Sequence, residues 1–401
     1  MLRRAAAGTA AALAAVLTTG AVAAPARADA VRDRQQPILE VLQAAQAWKL
    51  TRGKGVTVAV VDSGVAAGQA DLAGKVTTGP NMLAAVDAGA HVVREHGTGM
   101  ATIIAGRGHG AGRRAGVIGL APESRILGIR AIAEPEDGSY PRYRTSEKAE
   151  GAVGRGIRYA ADHGADVINL SLGNYEGSDA EREAIGYAVG KGVVVVSAVG
   201  NDGDEQGKLD GDGFAPYSYP ASFPGVIAVA ATDDAHGRAK FSNRNYAAVL
   251  SAPGTDIPIG GPDGKYYLSA GTSDASAVVS GVAALIRSRH PKMAPALVAQ
   301  ALIGGSRNND GAYDVDTGFG EVSAYRALAA ADRLAAVRAP AAKKDDERFG
   351  PARPGPVEVV QRPAWVRPLL ALVVGGAVAG AGGALLIARL LARRNPRRPA
   401  A

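Results

Sequence analysis

The chain of 401 residues contains no cysteine. Disulfide staples and thiol chemistry are both excluded, so the fold must rest on a buried core. A stretch of about 300 residues between the termini is long enough to bury one. Net charge is nearly absent from the body. The formal net charge is +7, yet residues 1–28 contribute +3 and residues 389–401 contribute +5, which leaves −1 over residues 29–388. The basic balance belongs to the two ends, and nucleic acid is rejected as a partner. No internal repeat is present, which sets aside the repeat architectures.

One stretch lacks charge altogether. Pro368 to Ala388 is 21 residues rich in Leu, Val, Ala and Gly, enough to cross roughly 30 Å of hydrocarbon. Arg389, Arg393, Arg394, Arg397 and Arg398 follow with no acid after them, which places that flank in the cytoplasm. At the other end Arg3 and Arg4 precede an Ala/Leu/Val-rich run and an Ala26-Arg27-Ala28 cleavage pattern, the layout of a secretory signal. The expected organisation is a signal peptide at 1–28, a folded domain at 29–336 and a Pro-rich linker at 337–366. A transmembrane helix at 367–388 and a basic cytoplasmic tail at 389–401 complete it. The protein is then a single-pass protein of the cell membrane, with its body outside and its C-terminus inside.

Within the body, Val56–Val61, Asp166–Leu170, Val193–Ser197 and Val226–Ala230 are apolar runs without strict alternation, as strands buried on both faces require. Helical patterns lie between some of them, over Ser146–His163 and Asp179–Lys191. The expected class is α/β, with a mainly parallel central sheet covered by helices on both sides. In such sheets the reactive crevice lies beyond the carboxyl ends of the strands.

The polar residues at those ends form a chemical set. A serine hydroxyl needs a base to take its proton, and the base needs a carboxylate to hold its tautomer. Ser273, His96 and Asp62 supply these parts, and the Asn201 amide with the Ser273 backbone N–H can receive an oxyanion. Taken singly, Asp62 reads as a turn residue, Ser273 as a helix cap and Asn201 as a turn former. Order and context make the set specific. Gly55 to Val65, ending in Val61-Asp62-Ser63-Gly64-Val65, resembles the aspartate motif of the subtilisin-like serine proteases. His96-Gly97-Thr98-Gly99-Met100-Ala101 resembles their histidine motif and Gly271-Thr272-Ser273 their serine motif. The similarity runs from about Gln36 to Ala330 and includes Ser197 to Asn201; Asp, His, Ser is also the chain order of that family.

The resemblance implies a subtilisin-like three-layer fold and a serine-type endopeptidase working through an acyl-enzyme on protein or peptide substrates. It also implies that Ser171, Leu172 and Gly173 form the strand edge that pairs with substrate backbone. Within the family the chain most resembles the mycosins, membrane-anchored subtilases associated with type VII secretion, through its order of segments and through Gly99 and Ala277. That secretion machinery is the partner so implied. Two other readings remain: a catalytically weak or inactive structural component of the secretion complex, and a general cell-surface subtilase. The short lead before Gln36-Pro37-Ile38 predicts a fold that needs no large pro-segment.

The chemistry requires no cofactor and no catalytic metal. Asp202, Asp204, Asp210 and Asp212 crowd a Gly-rich loop whose spacing is not that of a 12-residue calcium loop; a solvated loop is the simpler reading, with structural calcium left open. Asp274 stands beside the serine. At a helix start its charge is electrostatically favoured, and it is expected to favour basic residues just after the cleaved bond.

Overall fold

The computed structural model describes residues 29–307, 312–337 and 365–394. The expected signal peptide, most of the linker and residues 395–401 of the tail lie outside the described residues. The described chain forms two units, one ending at Val337 and the other belonging to the C-terminal part.

In chain order the strands are β1 (Thr57–Asp62), β2 (Val76–Asn81), β3 (Arg107–His109), β4 (Ala115–Ile118), β5 (Arg125–Arg130) and β6 (Val167–Leu170). They continue with β7 (Val194–Ala198), β8 (Val226–Thr232), β9 (Leu250–Pro253), β10 (Ile257–Gly260) and β11 (Tyr266–Ser269). Seven build one sheet in the order β2-β5-β1-β6-β7-β8-β9, and every neighbouring pair is parallel. The β3–β4 and β10–β11 pairs are small antiparallel ribbons.

The apolar runs follow from this layering. Val58, Val60, Val194 and Val196 pack with the helices Glu95–Ala105 and Thr272–Arg289. Their chain neighbours Ala59, Val61 and Val195 pack with Ala152–Asp162 and Asp179–Gly190 on the opposite face. Both faces are covered, so no polar alternation is needed. The helix Thr272–Arg289 buries 14 of its 18 residues, which its Ala, Ser, Gly and Val composition permits. Strand order reverses at β1, which lies between β5 and β6, and that switch point is where a ligand crevice forms.

One expected helix is broken. Over Ser146–His163 the structure has a short 3₁₀ turn at Glu147–Ala149 and an α-helix only from Ala152 to Asp162. Gly151 between them has φ +68°, a left-handed conformation that ends one helical run and caps the next.

The helix Ala30–Val41 is tied to the body through Gln35, whose side chain donates to the Ile118 carbonyl at 2.8 Å and accepts from the Ile118 N–H at 3.0 Å. In the second unit a helix runs from Val366 to Arg394. Its segment Pro368–Leu391 has 24 residues and includes an 18-residue window of mean hydropathy 2.2, long and apolar enough to cross a membrane.

Candidate active site

Asp62 ends β1 and is fully buried. Its Oδ1 accepts from the Ser63 N–H at 2.6 Å and from His96 Nδ1 at 2.8 Å, while Oδ2 is buried without a partner. His96 is the second residue of the helix Glu95–Ala105. With Nδ1 engaged by the carboxylate, Nε2 is the ring nitrogen left to accept a proton. Burial alone would push the imidazole down. The charge and hydrogen bond of Asp62 outweigh it, with Asp274 and Glu134 adding, and raise His96 to about 9. Gly97 makes the pairing geometrically possible, because a Cβ there would lie 2.3 Å from the Gly64 carbonyl oxygen.

The helix that carries His96 begins without a capping side chain of its own. Glu134 takes that role from outside, accepting from the N–H groups of Glu95 at 3.2 Å and His96 at 3.0 Å. Beneath lies a buried ion cluster. Arg130 donates to Asp87 through Nε at 2.7 Å and NH2 at 2.8 Å, to Asp137 at 3.0 Å and to the Ser63 carbonyl at 2.9 Å. Asp137 in turn accepts from the N–H groups of Val93 and Glu134. Burial pushes Asp87 up, but hydrogen bonds from Arg130, Ser139 and Asn81 prevail and hold it at about 2. One guanidinium thus fastens the turn after Asp62 to the segments around His96.

Ser273 is the second residue of its helix. Its Oγ donates to the Ser171 carbonyl at 3.3 Å, and its own carbonyl accepts from Ser171 Oγ at 2.8 Å. Asn169 in β6 supports this pair: its Nδ2 donates to Ser171 Oγ at 3.0 Å, and its Oδ1 accepts from Ser276 at 3.1 Å and Ser280 at 2.9 Å. Asn201 follows β7. Its Oδ1 accepts from the Thr272 N–H at 2.9 Å and the Thr272 hydroxyl at 2.8 Å, which leaves its NH₂ as a donor beside the helix start. Asn243, fully buried, clamps the same loop by donating to the Val199 carbonyl and accepting from the Asp202 N–H.

The structure therefore joins Asp62 to His96 and Ser171 to Ser273, and sets Asn201 against the residue before the serine. Leu172, Gly173 and Asn201 line a cavity of about 1020 Å³. His96 and Ser171 line a hollow of about 470 Å³ that shares Ile132, Ala133 and Pro135 with it. Space of that extent suits an extended chain better than a compact small molecule.

Two readings of acidic residues are refined. Asp274 does not face the cleft: it is 1% exposed, Oδ2 accepts from Ser269 at 2.9 Å, and Oδ1 is buried without a partner. Burial raises its carboxyl to about 7, and with 1% of its surface exposed it does not contact residues after the cleaved bond directly. In the Asp-rich loop, Asp202 accepts from Tyr175 and pairs with Lys208, and Asp210 closes a turn with the N–H groups of Asp212 and Phe214. Among the described residues no group of three or more acids or histidines is placed to hold a metal.

Sequence reasoning missed Glu134, Arg130, Asp87, Asp137, Asn169 and Asn243. Their bonds reach partners remote in the chain; only the position of Arg130 and Glu134 near the carboxyl end of β5 hinted at a role.

A carboxylate–imidazole pair and a serine on a helix start, at the carboxyl edge of a parallel sheet, are the equipment of a serine hydrolase. Comparison with known proteins narrows the class. Residues 53–320 match the subtilase family, and the chain belongs to that family of serine endopeptidases. Thermitase of Thermoactinomyces vulgaris is 37% identical over 248 residues, covering 62% of this chain and 80% of thermitase. The crystal structure of MycP1 with its N-terminal propeptide removed is similar at 29% identity and TM-score 0.60, over 73% of this chain and 96% of that one. The MycP3 protease from the type VII (ESX-3) secretion system is similar at 28% identity and TM-score 0.58, over 73% and 87%. The central sheet and its helices are the subtilisin-like fold.

Proposed function

We propose that Asp62, His96 and Ser273 are the catalytic triad of this endopeptidase, with the Asn201 amide and the Ser273 N–H as its oxyanion donors. The 2.8 Å bond between Asp62 and His96 carries the reading. Ser273 Oγ leaves the Ser171 carbonyl, gives its proton to His96 Nε2 and attacks the scissile carbonyl. The alkoxide that forms is met by donors whose orientation is preset, because the Asn201 oxygen is already committed to Thr272. The leaving amine takes the proton from His96, and water later releases the acyl group from Ser273. An extended substrate lies along Ser171-Leu172-Gly173 and adds a strand to that edge.

The base must be neutral to accept a proton. A raised His96 therefore puts the rising limb of kcat/KM on the alkaline side of an ordinary histidine. We place the enzyme outside the cell, held by Pro368–Leu391 with the arginine-rich end in the cytoplasm. The likeness to MycP1 and MycP3 supports work connected with type VII secretion. Labelling the full chain with a serine-directed fluorophosphonate tests the triad. Wild type is expected to label and Ser273→Ala not to. A wild-type chain that stays unlabelled would instead favour a structural component of the secretion complex.

A further inference from the structure

At the opposite end of the strands from the catalytic crevice, separate chain segments bring arginines to one concavity of about 280 Å³. Arg32 comes from the helix Ala30–Val41, Arg52 from the segment entering β1 and Arg107 from β3. Arg113 and Arg114 come from the turn joining β3 to β4, and Glu123 lies just ahead of β5. Glu123 is the one acid on the lining, and it is matched with Arg52 at 3.3 Å.

No further acid lies on the lining to face Arg32, Arg107 and Arg113, although Asp71 and Asp29 act on Arg32 from outside it. The side chains of Arg107 and Arg113 make no hydrogen bond or ion pair among the described residues. Arg32 donates through Nε to the Gly116 carbonyl at 3.1 Å, but its terminal NH2 nitrogen is buried without a partner. Behind the pocket the Lys75 ammonium is 9% exposed and donates only to the neutral carbonyls of Ala105 and Pro122, at 2.6 and 2.5 Å. Burial first, then Arg107 and Arg113, push Lys75 down to about 7. Converging like charges raise the energy of the fold, and a multivalent anion would relieve it.

We propose that this pocket binds an oxyanion of the phosphate class, gripped by the guanidinium groups of Arg32, Arg107 and Arg113. Guanidinium forks match the paired oxygens of phosphate, and several can share one tetrahedral group. A pocket of 280 Å³ admits a phosphate or a phosphodiester headgroup. It is too small for a nucleic-acid strand, and the near-neutral body would not hold one. Bound there, the anion ties the N-terminal helix to the β3–β4 ribbon.

The test is calorimetric titration and melting of the full chain in neutral detergent at fixed ionic strength. The probes are inorganic phosphate, glycerophosphoglycerol as the deacylated headgroup of phosphatidylglycerol, and acetate. Phosphate and phosphodiester are expected to bind and to raise the melting temperature. Arg107→Gln and Arg113→Gln should each weaken binding by about tenfold, and Arg182→Gln, on an exposed helix face, should not. The anion-free melting temperature of each variant reports whether it is folded, and Arg113→Lys, which keeps the charge but loses the fork, should fall between. Tighter binding of the headgroup assigns the ligand to lipid, and tighter binding of phosphate assigns it to the free anion; both support the proposal. No binding, binding untouched by both substitutions, or acetate binding as well as phosphate would overturn it, the last pointing to a protein carboxylate.

Discussion

The two halves of the candidate active site are held by different chemistry. The Asp62–His96 half stands on ions: Arg130, 4% exposed, is matched by Asp87 and Asp137 and also grips the Ser63 carbonyl. The Ser273 half stands on neutral groups, the Asn169 amide bonded to the hydroxyls of Ser171, Ser276 and Ser280. An ion cluster is strong only while each charge keeps its partner. A hydroxyl ladder is indifferent to pH and can partly re-pair when one member is lost. The halves should therefore fail in different ways.

The largest effect is expected from Arg130→Met. It strands buried carboxylates and should cost about 3–5 kcal/mol, read by denaturant unfolding of the catalytic unit. Asn169→Leu should cost less, about 1–3 kcal/mol, because Ser276 and Ser280 can turn back to carbonyls of their own helix. Equal losses in the two variants would erase the distinction.

Acid separates the halves more finely. Asp87 titrates lower in the folded protein, at about 2, than an ordinary carboxyl at 3.8. Its contribution is full above about pH 4 and is lost as pH falls through about 2. Unfolding followed from pH 6 to pH 2 should show this slope in wild type and Asn169→Leu alike, and a shallower one in Arg130→Met. The smallest effect tests the bridge between the halves. Asp274, on the serine helix, helps to raise His96, so Asp274→Asn should move the rising limb of kcat/KM to lower pH. A limb that does not move would mean the buried carboxyl is already neutral when His96 titrates.

What could be read from the chain alone divides along the same line. Asp62, His96, Asn201 and Ser273 stand out because each sits in a short run of distinctive neighbours, and the structure joins Asp62 to His96 and sets Asn201 against Thr272. The strands β1, β6, β7 and β8 were legible because burial on both faces writes them as unbroken apolar runs. In contrast, β5 starts and ends on arginine, and β2 is half-polar with a proline at the sheet's edge. Arg130 looks like a surface residue until Asp87, 43 positions away, meets it. Asp274 was placed in the cleft by its position next to Ser273. One step around a helix covered on nearly every side leads into the core instead.

The burial of the serine helix has a consequence for the life of the molecule. A protease is its own nearest substrate, and a peptide bond is cut only when its chain can open and extend. Residues 274–286 of that helix are buried throughout, so they open only when the whole domain does. Exposed stretches such as Asp204 to Lys208 are released far more readily. Self-digestion would begin there, at the rim, and reach the helix that carries Ser273 last.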